Sequence, residues 1–310
     1  MSRKTLIFTV AGLAIVFSAA GLLGPPALPK DTPVRALPSG TGATVLTPTA
    51  NGVVTRQAVR LEERVETDSK DPKVYSSLAL VYLQQARALA DPTLLPKAET
   101  LLERSLSLDD DANFEASLGM ASLSNARHDF TASVRWARSA IDMNPYQASS
   151  YGVLGDALFE LGRYRSAEHA YQKMIDLRPN LASYVRASYS FQFKGNNQAA
   201  IRAMELALES TAPVGEDPAW LRHQLGDIYF GMGRLKEAAR QNHIGTQLAL
   251  DYVPPRVGVA EVAIAEGRTN EAVAILENAA EQLPSLEYLG KLGDLYLAAG
   301  RRAEAAEQYR

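Results

Sequence analysis

Four histidines, His128, His169, His223 and His243, are the side chains of this chain best suited to hold a metal or to carry a proton near neutral pH. A metal centre needs such ligands grouped, and these four are widely separated along the sequence. Each therefore reads as a single histidine on a helix surface or in a polar groove. The carboxylate runs Glu62-Glu63 and Asp109-Asp110-Asp111 read as solvated helix faces and ends. GTGAT (40–44) faintly resembles a phosphate loop but lacks the lysine and the flanking strand and helix. The patterns HExxH and GxSxG are absent, as is GxGxxG after a strand. No catalytic, metal or cofactor-binding residue is expected, no small-molecule substrate, and no enzyme activity.

Composition narrows the choice further. A net charge of −3 over 310 residues supplies no broad basic field, so nucleic acid is not an expected partner. The chain has no cysteine, which excludes disulfides, thiolate metal sites, a cysteine nucleophile and a lipid-anchor cysteine.

The elements that would position any site begin with an atypical N-terminus. Residues 1–24 carry Arg3 and Lys4 and then no charge from Thr5 to Gly24. Residues 5–23 as a helix would span about 28 Å, close to a hydrocarbon core of about 30 Å. An uncleaved membrane anchor and a cleaved signal peptide, with Ser18-Ala19-Ala20 before the cut, both fit. Either would put the remainder outside the cytoplasm, and an anchor would add the membrane as a partner. Residues 25–52 are rich in proline and threonine and read as a flexible linker. RQAVRLEERVETD (56–68), within an expected leading helix over 53–71, would cover the first helical unit.

From residue 72 the pattern is helical and periodic. Small residues recur at Ala98, Ser133, Ala167, Ala200, Ala238, Ala272 and Ala305, spaced by 33 to 38 residues. Twelve positions upstream lie Gly155, Ser188, Gly226, Ala260 and Gly293. A repeat of this length means stacked helix pairs. Small residues at Gly155, Ala167, Gly226, Ala238, Ala272, Gly293 and Ala305 would let the paired backbones approach, while Tyr151, Leu154, Leu158 and Tyr171 fill the space beside them. Gly162, Gly195, Gly233, Gly267 and Gly300 fall at the expected turns, where a positive φ ends a helix. Pro145, Pro179 and Pro284 close units.

The stretch LGD…GRY…A…Y…P at 154–179 resembles the tetratricopeptide repeat family. Leu225-Gly226…Gly233-Arg234…Ala238 and Leu292-Gly293…Gly300-Arg301…Ala305 match it again, giving about seven repeats over 72–310, the last one truncated. The chain departs from the pattern around ALADPTLLP (88–96), which lengthens the first unit, and at TAPVGED (211–217). The second unit has two registers, through Gly119 or Ala121. Asn242 stands where a large apolar residue is usual, which is expected to loosen its unit. The chain ends about ten residues into its last helix, which suggests a fragment or an end covered by a partner.

The resemblance implies an all-α, right-handed solenoid of antiparallel helix pairs whose first helices line an inner groove. On that basis the groove-lining residues are Asp156, Glu160, Arg186, Tyr189, Trp220, His223, Asp227, Glu261, Lys291 and Asp294. The residue after the small one is acidic in four of the last five units, which also suits local hydrogen bonding within a repeat. The family's carboxylate clamp, built on lysines and asparagines, finds no match at these positions. The expected partner is thus a protein or an extended polar or basic peptide. The leading expectation is a non-enzymatic scaffold outside the cytoplasm. An assembly chaperone for exported proteins, or the substrate-selecting part of a longer enzyme, is the alternative.

Overall fold

A computed structural model describes residues 50–67, 70–88, 91–109 and 113–309. The apolar N-terminal segment, residues 25–49 of the expected linker, and Asp110 and Asp111 lie outside the described residues. Among the described residues there is no strand, and no helix is long and apolar enough to cross a membrane.

Helix α1 (Ala50–Thr67) precedes seven helix pairs among the described residues. They are α2 (Pro72–Ala88) with α3 (Leu94–Leu108), α4 (Phe114–Ala126) with α5 (Phe130–Met143), α6 (Ala148–Glu160) with α7 (Tyr164–Leu177), and α8 (Leu181–Phe193) with α9 (Asn197–Glu209). The series continues with α10 (Glu216–Gly231) and α11 (Leu235–Leu248), α12 (Pro254–Ala265) and α13 (Thr269–Gln282), and α14 (Leu286–Ala298) and α15 (Arg302–Gln308). They form two compact units that divide between Thr211 and Ala212, inside the TAPVGED joint. Within each unit, every second helix packs against its own first helix and, where another pair follows in that unit, against the next first helix.

Each pair nests on the small residues. A Cβ placed on Gly155 would lie 2.4 Å from the ring of Tyr171, sixteen positions later. One on Gly293 would lie 2.6 Å from Tyr309, again sixteen positions later. Ala167, Ala238, Ala272 and Ala305 on the opposing helices are all fully buried. The two registers of the second unit separate on the same test. A Cβ on Gly119 would meet Leu102 of the preceding pair, so the in-pair position falls to fully buried Ala121. In the unit through Ser188, the hydroxyl donates to the Ala200 carbonyl at 2.9 Å, so a polar residue at the crossing is satisfied by the facing helix.

The turns are equally regular. Gly162, Gly195, Gly233, Gly267 and Gly300 have φ between 71° and 78°, where a Cβ is disfavoured. At the first of them, the Arg163 amide donates to the Leu158 carbonyl at 2.8 Å, closing the helix C-terminus in a Schellman arrangement. In the second unit His128 takes the glycine's place with φ 59° and sets its ring edge-on to Phe130. His128 is therefore a turn residue.

Candidate partner-binding face

The first helices carry the candidate residues. In the unit ending at Thr211, Asp156 on α6 accepts from Arg186 on α8 through Nε at 2.9 Å and Nη2 at 2.8 Å. Arg186 also donates to the Ala182 carbonyl, and the Tyr171 hydroxyl donates to Asp156 at 3.1 Å. Burial, the Asp156 charge and its hydrogen bond together push the Tyr171 phenol well above its ordinary value, so it stays a donor. Glu160, at the end of α6, is raised by burial; His128 opposes the shift and Asp156 reinforces it. Arg87 on α2 lies within electrostatic reach of Arg186, Asp156 and Tyr189. Side chains of α2, α6 and α8 thus share one face.

In the unit beginning at Ala212 the same geometry recurs. Lys291 on α14 donates to Glu261 on α12 at 2.5 Å and to Glu287 on its own helix at 2.7 Å. Glu261 and Lys291 are thirty residues apart, as are Asp156 and Arg186. The rule is simple: the residue after the small position meets a cation two positions before the next small position. Asp294 accepts instead from Tyr309 at 2.5 Å. Trp220, half-buried, lies one turn before His223 on α10.

Asp227 breaks the rule. Thirty-one residues on from it stands Gly258, which has no side chain to offer. The reason lies at Asn242. A Cβ on Gly226 or Gly258 would come within 2.4 Å or 2.3 Å of the Asn242 side chain, so two glycines make room for this amide. Asn242 is buried, donates to the Ala238 carbonyl at 3.2 Å and lies 2.9 Å from His223 Nδ1. The polar side chain expected to loosen the unit is thus packed and hydrogen-bonded. A donated Nδ1–H on Asn242 Oδ1 leaves His223 facing Asp227 at only 3.6 Å, longer than a hydrogen bond.

The Asp227 carboxyl is pushed up to about 6. Burial within the face is the main cause; Glu261 and Glu287 add to it, while His223 and Lys291 oppose it. Its side chain still keeps 42% of its surface open, so water on the face moderates the effect. Asp156 and Glu261 are each bonded to a cation of the following first helix and Asp294 to the Tyr309 hydroxyl, whereas Asp227, with a following first helix beside it, receives no cation from that helix. Two of the four expected acidic groups, Asp156 and Glu261, are neutralised in place. Arg87 and Tyr171 join the first of these faces, and Gln224 and Glu287 the second, beyond the residues expected there; Gln224 and Glu287 lie three and four positions from Asp227 and Lys291, a spacing visible in the sequence, whereas nothing local marks Arg87. Gln224 donates to Asp227 at 3.4 Å. Among the described residues no three histidine or carboxylate side chains gather as metal ligands.

Residues 148–181, spanning α6 and α7, match the family model described as tetratricopeptide repeat. That stretch is a tetratricopeptide repeat, and the described residues share the fold of proteins built from such repeats. The fold of this repeat protein is similar to a chain of the APC/C hetero-tetramer Cut9–Hcn1, at a TM-score of 0.63 and 16% identity, over 79% of this chain and 46% of that one. It is also similar to yeast Tom70, at 0.62 and 19% identity over 84% and 54%. A tetratricopeptide repeat protein from Parabacteroides merdae matches at 0.59 and 15% identity over 80% and 94%. This repeat protein spans about half the length of the first and second of these. Among curated proteins no relative matches the sequence.

Proposed function

We propose that this chain is a non-enzymatic adaptor that gathers a protein partner, held as an extended polar or basic segment along the first helices. The observation that carries this reading is the convergence of side chains from α2, α6 and α8, and of others from α10, α12 and α14, onto shared polar faces. Second helices are used for packing, which leaves the first-helix faces to recognise partners. The Cut9–Hcn1 neighbour, itself part of a multi-protein complex, supports the general role through its fold.

The repeat array works outside the cytoplasm, tethered or exported by residues 1–24. Arg3 and Lys4 before an uncharged run support that placement.

Photocrosslinking tests the face. A photoreactive residue at Tyr189, on α8, should capture a protein partner in cells, whereas one at His243, on second helix α11, should not. Capture from His243 alone would reverse the assignment of the binding side.

A further inference from the structure

The repeat contains its own record of what fits a carboxylate at this position. Beside Asp156 it is the guanidinium of Arg186, and beside Glu261 the ammonium of Lys291, each delivered from the following first helix. Asp227 occupies the same position in its repeat, but the following helix presents Gly258, fixed as glycine by the Asn242 amide. The packing that seats Asn242 therefore deprives Asp227 of an intramolecular cation. His223 stands at 3.6 Å, and its Nδ1 is already engaged by Asn242. Lys291 is shared between Glu261 and Glu287.

We propose that Asp227 anchors one lysine or arginine side chain of the bound partner, which supplies the cation that Arg186 and Lys291 supply elsewhere. This rests on the reading of the first-helix face as the binding surface and adds the register: a basic residue of the partner seats between α10 and α12. Partial enclosure strengthens the ion pair relative to open solvent, and the neighbouring carboxylates Glu261 and Glu287 add a field of the same sign. An acidic segment would meet repulsion here, which gives the face selectivity by charge.

The test uses the full chain in neutral detergent and a fluorescein-labelled nona-lysine peptide as probe. Binding is measured by anisotropy at low salt and mapped by hydrogen exchange. Asp227→Asn should weaken binding about five- to thirty-fold, in line with the coupling of close, partly desolvated charge pairs. Asp156→Asn, the same charge change at the same repeat position, should stay within about two-fold because Arg186 already compensates that carboxylate. Exchange protection should fall on α10 and α12. Equal losses in both variants, or none in Asp227→Asn while protection on these helices persists, would overturn the anchor and leave the face. A wild-type chain that fails to bind the peptide overturns the anchor as well. Protection confined to second helices would overturn both readings.

Discussion

Arg186 and Asp156, thirty residues apart, are joined by two parallel hydrogen bonds that tie one repeat to the next. Their side chains keep only 18% and 32% of their surface. The fork of Arg186 matches the carboxylate edge, and the Tyr171 hydroxyl satisfies Asp156 from the helix behind. Removing one partner leaves the other half-buried and unpaired. Asp156→Ala should cost about 2 kcal/mol in denaturant unfolding, and Arg186→Met added to it should recover part of that loss. Additive losses in the double-mutant cycle would show that the pair contributes nothing.

A second prediction separates glycines that admit a neighbour from glycines that merely sit in a helix. Gly155→Ala improves helix propensity by about 1 kcal/mol but drives a methyl into the Tyr171 ring, an overpacking cost of about 1–3 kcal/mol. The second effect should win, because the buried ring has little freedom to retreat. At Gly290 a Cβ meets nothing within 4 Å, so Gly290→Ala should stabilise by about 0.5–1 kcal/mol. Thermal melts of the two variants should move in opposite directions.

The pH response of the Asp227 site has a definite sign. With a folded value of about 6 and an unfolded value near 4, the folded chain binds the proton more tightly. Its contribution therefore favours folding increasingly as pH falls from about 7 toward 4, and is lost as pH rises through 6. Asp227→Asn should remove this trend, so stability measured as a difference from wild type should favour the variant most at pH 7–8. The groups that set the local field, His223, Glu261, Lys291 and Glu287, are unchanged in this comparison. Binding of a basic probe runs the other way and should strengthen above pH 6, as the carboxylate ionises.

Much of the fold was legible because glycine and alanine have few reasons to recur every thirty-odd residues. Gly155, Gly226 and Gly293 announced the crossings, and five glycines announced the turns. His128 at a turn was not legible, since its identity says nothing of a positive φ. The seating of Asn242 has no sequence signal: its amide fills the space left by Gly226 and Gly258 on two other helices, and such a three-helix arrangement has no local pattern. The same limit applies to the face. Asp156, Asp227 and Glu261 look alike in sequence, and only the residue thirty or so positions later distinguishes a neutralised carboxylate from an open one.

The most direct measurement is the unfolding free energy of Ala167→Leu. Ala167 is fully buried on α7, against the helix that carries Gly155, and the nesting of pairs on such residues is what generates both polar faces. A branched leucine side chain has no room there, so the variant should lose about 1–3 kcal/mol and unfold at lower denaturant. An unfolding midpoint equal to that of the parent would contradict the account, because it would mean that the helix pair does not close on this residue.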